Sequence, residues 1–438
     1  MELTNKKYCI IGGGATGIGM GKCFRQADIP FSIYEREDDF GGNWYAGKLS
    51  SKMYSSAHLI SSKTNTQFSD FPMPNDYPWY PNHKLMLEYL RSIAKNFNLY
   101  EHTKFNTTVK KIEPVDPSLT KTTWRIILSD ESEHIYNGVV IANGLLREPR
   151  WPKYPGNFNG LIMHANEYTS PDIFKNKRVL VVGGGNSGCD IAVDAASRAE
   201  KTFHSMRRGY HYMPKFIAGI PVQNWLMELA QQFNDKQSYW QYVKKIFKLT
   251  GFDGVDYGLP EPDHEIYQSH PILNSQILYF IGHGDVSPKD DIKELRESSV
   301  VFKDNSVEQV DLILYATGYD ISLPFLDDEY LNWQDNYPDI YCYIFHKYYD
   351  NLFFSGYFNS PSGLGNLVNS GGSMLSAYIK ALEKDTKAIK IFRKLKLAEE
   401  PDLGNSMFYQ SPRHKYEVDL WSVVKLMNEL RVKFLEST

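Results

Sequence analysis

A glycine cluster near the amino terminus, Gly12-Gly13-Gly14-Ala15-Thr16-Gly17, follows a short apolar run and matches the spacing G-x-G-x-x-G. Gly12 permits a tight turn, Gly14 lets backbone amides approach a pyrophosphate, and Gly17 allows a helix to pack closely on its strand. The start of that helix adds partial positive charge near the diphosphate. The spacing therefore predicts a dinucleotide site directly after the first strand.

The second predicted strand selects the nucleotide for this first site. It ends in the carboxylate of Glu35, which stands 18 residues beyond Gly17. A carboxylate at this position accepts hydrogen bonds from a ribose diol and disfavours a 2′-phosphate. The first site is therefore expected to hold FAD or NAD, not NADP.

A second glycine cluster repeats the pattern after the apolar run 179–182. Its candidate binding residues are Gly183, Gly185, Asn186, Ser187 and Gly188. The strand that follows ends without a carboxylate, and Ser205, Arg207 and Arg208 stand 17 to 20 residues beyond Gly188. A guanidinium group at that place can bind a 2′-phosphate, which predicts NADPH, although a solvated surface pair of arginines stays open. NADPH needs a redox-active acceptor, and this selects FAD for the first site.

Length and composition agree with a two-site enzyme. A chain of 438 residues is too long to fold around one hydrophobic core. Its alternating strand and helix patterns predict a doubly wound α/β fold with two Rossmann-like dinucleotide-binding domains. A net charge of -4 gives no broad positive field, so nucleic acid is not an expected partner. The four cysteines form no C-x-x-C pair, which fits a reducing cytoplasm, and no run of about 18 apolar residues predicts a membrane span. The amino-terminal residues also lack the apolar core of a signal peptide.

The segment 158–168 fits the pattern F-x-G-x-x-x-H-x-x-x-Y and resembles the fingerprint of the flavin-containing monooxygenases, a branch of the class B flavoprotein monooxygenases. Further matching pieces follow in family order and include Gly41-Gly42-Asn43-Trp44, Ser61-Ser62-Lys63, Ala142-Asn143-Gly144 and Ala316-Thr317-Gly318-Tyr319. The resemblance implies an FAD-binding domain in two parts, residues 1–165 and 296–438. An NADPH-binding domain of residues 166–295 is inserted between them.

The resemblance also implies a reaction with a small-molecule substrate and O2. NADPH would reduce FAD, O2 would add at flavin C4a, and the resulting (hydro)peroxide would oxygenate a soft nucleophile such as an amine nitrogen or a sulfide. Related Baeyer–Villiger enzymes have Trp-Pro where this chain has Tyr168-Thr169, which favours heteroatom oxygenation. Oxidation of a ketone, an uncoupled NADPH oxidase and a non-enzymatic nucleotide-sensing flavoprotein remain as alternatives, and a homodimer stays open.

The resemblance names further candidate site residues. Residues 151–171 are expected to form a connector between the domains. His164 of the fingerprint acts either in catalysis or as a structural group that holds this connector. Many family members carry an Asn two residues before the Ser-Lys pair, where this chain has Ile60, so His58, Ser61 or Ser62 would have to replace it. The other cofactor contacts expected from the resemblance are Gly42, Trp44 and Asn366.

Overall fold

The computed structural model describes residues 7–116, 118, 120, 122–334, 336–359, 363–404, 407–409 and 416–438. The expectation for the first six residues therefore lies outside the described part of the chain. The helices, numbered in chain order, are α1 (Ala15–Gln26), α2 (Lys63–Thr66), α3 (His83–Asn96), α4 (Asn186–Ala196), α5 (Val222–Ala230), α6 (Lys236–Leu249), α7 (Ile277–Gly282), α8 (Leu364–Glu383), α9 (Lys387–Ala398) and α10 (Leu420–Leu435).

The strands of the described residues are mostly short and are numbered in the same way. They are β1 (Tyr8–Ile11), β2 (Phe31–Tyr34), β3 (Thr103–Lys104), β4 (Val109–Pro114), β5 (Trp124–Leu128), β6 (Glu133–Tyr136), β7 (Gly138–Ile141), β8 (Glu148–Pro149), β9 (Gly156–Phe158), β10 (Leu161–His164), β11 (Arg178–Val182), β12 (Lys201–Ser205), β13 (Tyr212–Met213), β14 (Phe216–Ile217), β15 (Ile220–Pro221), β16 (Ile272–Leu273), β17 (Val286–Lys289), β18 (Ile292–Glu297), β19 (Ser299–Phe302), β20 (Val307–Gln309), β21 (Leu312–Tyr315), β22 (Tyr319–Asp320), β23 (Ile340–Tyr341), β24 (Phe345–His346) and β25 (Leu352–Phe354).

The chain divides into two compact units, and both are built from several separate stretches of sequence. The first unit comprises the described residues of Met1–Ser51, Lys63–Arg147 and Asp320–Thr438, and the second comprises Lys52–Ser62 and Glu148–Tyr319. Each unit contains a mainly or wholly parallel sheet together with helices, which confirms the predicted α/β class.

The main sheet of the first unit has seven strands in the order β23-β24-β25-β7-β1-β2-β3. The strands from β25 to β3 are parallel, and β1 lies between β7 and β2 with Ile10 opposite Val140 and Ile33. All four residues of β1 are buried, as expected for a strand covered on both faces. Helix α8 packs so closely on α1 that a Cβ at Gly372 would lie 2.6 Å from the Cys23 sulfur.

The main sheet of the second unit has five parallel strands in the order β10-β21-β11-β12-β17. The unit extends beyond the range 166–295 because β10 and β21, which lie outside that range, pair with each other and β21 pairs with β11. A second sheet with the order β20-β19-β18-β9 lies in the same unit. The sheets place the carboxyl ends of β11 and β12 side by side.

Three properties of the described residues bear on the chemistry and location of the protein. No helix among them has the length and apolar character needed to span a membrane. They also contain no group of three or more histidine, cysteine or acidic side chains placed to hold a metal ion. The four cysteines, which are free thiols with buried side chains, are Cys9, Cys23, Cys189 and Cys342.

Candidate functional site

The first glycine turn joins β1 to α1. Gly12 has a φ of 110°, and a Cβ there would lie 2.6 Å from the Ala142 carbonyl oxygen. A Cβ at Gly17 would collide with the Gly12 carbonyl oxygen, and Gly14 is the extended residue that precedes the helix. The turn therefore needs glycine for both conformation and space, and it leaves a backbone cradle at the start of α1 that fits a diphosphate.

The Glu35 side chain is directly bonded to this turn. One carboxylate oxygen accepts a hydrogen bond from the Gly13 amide at 2.5 Å, and the other accepts from the Glu37 amide at 2.9 Å. Glu35 is only 4% exposed, and this burial raises its pKa while the two amide hydrogen bonds oppose the rise. The carboxylate is thus fixed beside the turn, and its remaining lone pairs can accept from a ribose diol.

Gly42 lies against the same turn. It has a φ of 52°, and a Cβ there would lie 2.7 Å from the Gly14 Cα. It begins a single 3-10 turn, Gly42–Trp44, in which Trp44 is half-buried. The structure therefore brings Gly42 together with Gly14, whereas Asn366 is an exposed residue in the first turn of α8.

Two residues that the sequence analysis did not select also lie at the first site. Gly356 follows β25 with a φ of 82°, and a Cβ there would lie 2.7 Å from the Thr16 methyl carbon. The adjacent Tyr357 is fully buried and donates its hydroxyl hydrogen to the Asn143 side-chain oxygen at 2.5 Å. Asn143 in turn donates to the Ser322 carbonyl at 3.1 Å. A glycine two residues after an apolar strand pattern was the signal that could have indicated this position.

The second glycine turn repeats the backbone of the first. Gly183 has a φ of 126° and a Cβ there would collide with the Ala316 carbonyl oxygen, while a Cβ at Gly188 would collide with the Gly183 carbonyl oxygen. Gly185 precedes α4 in an extended conformation. In the first turn of α4, the Asn186 side-chain oxygen accepts from the Leu273 amide at 2.9 Å, and Ser187 is exposed.

The three residues predicted to read the 2′-phosphate differ in their surroundings. Ser205 is fully buried and donates its hydroxyl hydrogen to the Asp290 carbonyl at 2.7 Å. The Arg208 guanidinium pairs with the Asp263 carboxylate at 2.6 Å. Arg207 is exposed and has no hydrogen bond or ion pair among the residues that the structure describes. Of the three, Arg207 is therefore the side chain that is best placed to meet an anion.

His204, which the sequence analysis did not select, supports the second turn from β12. Its Nε2 is 2.9 Å from the Gly183 carbonyl oxygen, and the ring is fully buried. Burial lowers the His204 pKa, so the neutral ring donates this hydrogen bond. The imidazole thereby fixes the carbonyl that Gly188 must approach.

The fingerprint histidine ends β10 and is fully buried. The His164 Nδ1 accepts from the Asn166 amide at 3.2 Å, and the ring lies 5.5 Å from the Trp151 ring and 5.1 Å from the Tyr319 ring. Burial lowers its pKa, so the imidazole is neutral near pH 7. These contacts are the ones expected from a structural group in the connector.

The segment 52–62 contains the other candidate catalytic residues. His58 is exposed with its Nδ1 2.7 Å from the Ser56 carbonyl, Ser61 is half-buried, and Ser62 is fully buried with its hydroxyl 3.0 Å from the Asn224 side-chain oxygen. Ile60 packs against the apolar cluster that includes Val222, Val243, Phe247 and Leu273. An apolar side chain at position 60 therefore has a packing partner in this chain.

Comparisons with known proteins show which proteins this chain is similar to. The model of the family described as "FMO-like: Flavin-binding monooxygenase-like" matches residues 5–377. Flavin-containing monooxygenase 1 of Homo sapiens is 34% identical over 361 residues, which cover 78% of this chain and 67% of that protein. S-allyl-L-cysteine S-oxygenase from Allium sativum aligns in structure with a TM-score of 0.67 at 19% identity, covering 97% of this chain and 88% of that one. An open structure of cyclohexanone monooxygenase aligns with a TM-score of 0.72 at 17% identity and 98% coverage of both chains.

Proposed function

Because the chain belongs to the flavin-binding monooxygenase-like family, we propose that it is an NADPH-dependent monooxygenase that oxygenates an amine nitrogen or a sulfide. Enzymes of this family use FAD and NADPH, and these are the cofactors of the chain. The balanced reaction converts substrate, O2, NADPH and a proton to oxygenated substrate, water and NADP+. FAD supplies the redox chemistry that joins these reactants when it is bound.

We assign FAD to the first glycine turn and NADPH to the second. The observation that carries the assignment is the different side chain after each second strand: the fixed carboxylate of Glu35 in one unit and the exposed guanidinium of Arg207 in the other. A carboxylate suits a ribose diol, whereas a guanidinium suits a 2′-phosphate. Under this assignment the second unit, which contains the predicted range 166–295, would bind NADPH.

The chain's own residues bind and orient the two nucleotides under this proposal. Backbone amides at the start of α1 and α4 would bind the two diphosphates, and Glu35 and Arg207 would orient the adenosine ends. His58 and Ser61 remain proposed polar contacts for the reacting groups, while the buried, neutral His164 holds the connector. The fold does not decide the substrate, because the S-oxygenase and the cyclohexanone enzyme share it. The pair Tyr168-Thr169, which stands where Baeyer–Villiger enzymes have Trp-Pro, favours oxygenation of a heteroatom over oxidation of a ketone.

The test is a product assay on the FAD-loaded protein with NADPH and a panel of a tertiary amine, a dialkyl sulfide and a cyclic ketone. We expect an N-oxide or a sulfoxide in amounts that match the NADPH consumed. Lactone as the main product would replace the proposal with ketone oxidation. Hydrogen peroxide equal to the NADPH consumed would indicate an oxidase, and a flavin that NADPH fails to reduce would contradict an enzymatic role.

We also propose a reducing, cytoplasmic location and a small molecule with O2 as the partners. The four free thiols support the location, because an oxidising compartment commonly pairs such cysteines. Extraction of cells without detergent, followed by detection in the cytosolic fraction, tests this point.

A further inference from the structure

The segment Lys52–Ser62 belongs to the second unit, although the residues on both sides of it in sequence belong to the first unit. Its hold on the second unit is partly a backbone hydrogen bond from the Ser55 amide to the Thr169 carbonyl at 2.8 Å. The Ser62 hydroxyl also donates to the Asn224 side-chain oxygen at 3.0 Å, and Ile60 packs against an apolar cluster of that unit. In addition, two side chains of the segment hydrogen-bond to α4, the helix that begins at the second glycine turn. The predicted NADPH-binding helix is therefore one of the anchors of the segment.

Two carboxylates, one helical turn apart on α4, accept these side-chain hydrogen bonds. The Tyr54 hydroxyl donates to the Asp190 Oδ2 at 2.9 Å, and the Ser56 hydroxyl donates to the Asp194 Oδ2 at 2.5 Å. The spacing of four residues places both carboxylates on the same face of the helix. The segment therefore meets the helix at two points in fixed register.

The fingerprint tyrosine shares one of these carboxylates. The Tyr168 hydroxyl donates to the Asp194 Oδ2 at 2.7 Å, so Ser56 and Tyr168 bond to the same oxygen atom. Tyr168 is 1% exposed, and its ring lies 5.4 Å from the ring of Tyr54. A carboxylate shared by two donors fixes both more specifically than apolar contact would, since an unmatched donor at a buried site is costly.

We propose that Asp194 is a positioning residue that fixes the 52–62 segment and the fingerprint Tyr168 to the NADPH-binding helix. This inference rests on the proposed function, because it gives the segment a task in oxygenation. His58 and Ser61 lie on the anchored segment, a few residues beyond Ser56. Loss of the anchor leaves NADPH binding at the glycine turn in place but lets the segment move, so more of the oxidised NADPH yields hydrogen peroxide instead of product.

The test compares product formed per NADPH oxidised in Ser56→Ala, Tyr168→Phe and the double variant with two matched controls. Ser197→Ala removes a hydroxyl that bonds the Asp194 backbone carbonyl, and Tyr239→Phe removes a hydroxyl that bonds the Leu226 carbonyl. We expect the hydrogen peroxide fraction to rise about threefold in the double variant, with the NADPH KM changed by less than about twofold. Asp194→Asn, which keeps an acceptor oxygen, should fall between the double variant and the wild type.

A second readout is hydrogen exchange of the backbone amides in residues 52–62, which does not depend on turnover. The proposal expects faster exchange in the double variant than in either control. Unchanged exchange with wild-type product yield in a folded, FAD-loaded double variant would overturn it. If the wild-type enzyme itself forms no oxygenated product, the proposed function fails, and faster exchange alone would then restrict the role of Asp194 to anchoring. Ser56→Ala keeps the test decisive if the double variant does not fold.

Discussion

The two glycine turns have the same backbone, but the residues that support them differ. In the first unit the Glu35 carboxylate accepts from the Gly13 amide, whereas in the second unit the neutral His204 ring donates to the Gly183 carbonyl. Glu35 directly follows β2, whereas the exposed Arg207 stands two residues beyond the end of β12. Under the proposed assignment, the shared backbone geometry would bind both diphosphates, while one or two side chains after the second strand would choose between the nucleotides.

Arg207 and Arg208 are adjacent in sequence, but their side chains have different surroundings in the second site. Arg208 bonds the carboxylate of Asp263, which also lies 2.9 Å from the His264 Nδ1. The positive charge of Arg208 is thus partly neutralised before any nucleotide arrives, whereas Arg207 faces solvent. Two adjacent arginines therefore have different availability for a phosphate.

The largest expected effects come from the helix-packing glycines, and they separate the two sites. Gly17→Ala forces a methyl group into the Gly12 carbonyl and should weaken FAD binding about a hundredfold, or about 3 kcal/mol. Gly188→Ala forces the same clash in the second unit. The Gly188→Ala protein should contain nearly as much FAD as the wild type, but NADPH should no longer reduce this FAD. Flavin content and anaerobic reduction measure the two effects, and a Gly188→Ala protein that loses FAD first would contradict the assignment.

The next effect distinguishes the two arginines. Arg207→Ala removes a charge-assisted contact worth about 1.5–3 kcal/mol and should raise the NADPH KM about 10- to 100-fold with little change for NADH. Arg208→Ala, whose guanidinium is paired with Asp263, should raise it less than about threefold. Steady-state assays with both nucleotides give the comparison. Equal losses for NADPH and NADH in Arg207→Ala would show that the 2′-phosphate lies elsewhere.

A smaller effect is expected at the acid of the first site. Glu35→Gln keeps the shape of the side chain but replaces one carboxylate oxygen by an amide nitrogen, which cannot accept a hydrogen bond. The remaining oxygen can accept from only one of the Gly13 and Glu37 amides. One lost acceptor for a buried amide costs about 1–3 kcal/mol, so FAD affinity should fall about tenfold. Fluorescence titration of the apoprotein with FAD measures the change. Wild-type affinity would show that Glu35 does not support the turn.

The smallest effect is a pH dependence of the second site. Burial lowers the His204 pKa below its usual value of about 6.5, so the unfolded chain binds this proton more readily than the folded one. The stabilisation is present above that value and is lost as the pH falls through the folded-state pKa. The melting temperature should therefore fall between pH 7 and 5, and the fall should be shallower in His204→Gln, which removes this titration. Identical slopes would contradict the role of a buried neutral ring.

The sequence was sufficient to predict the parts of both sites that depend on local spacing. The glycine turns and the ends of β2 and β12 follow from residues close in sequence or on adjacent strands, whereas the hydrogen bond of Glu35 to the Gly13 amide was not predicted. It could not reveal that Arg208 pairs with Asp263, 55 residues away, or that the Ser205 hydroxyl is engaged by Asp290. Such contacts depend on which loops the fold brings together, and local patterns do not encode that choice.

Contacts between residues far apart in sequence also explain why the sequence did not predict the unit to which segment 52–62 belongs. Its neighbours in sequence predict a place in the FAD domain, yet the Ser56–Asp194 hydrogen bond and the packing of Ile60 place it in the second unit. Ile60 stands where the resemblance led us to expect an Asn, and the sequence alone indicated no partner for it. In the fold it covers an apolar cluster, so the substitution has a packing explanation.

The most direct test of the central claim is the transfer of oxygen from isotopically labelled O2 in the presence of NADPH. We expect one labelled oxygen atom in each N-oxide or sulfoxide, with one NADPH consumed for each product molecule. In Arg207→Ala, the rate at a limiting NADPH concentration should fall, while the rate with NADH should stay near that of the wild type. Unlabelled product, or oxidation of NADPH that yields only hydrogen peroxide with every substrate, would contradict it.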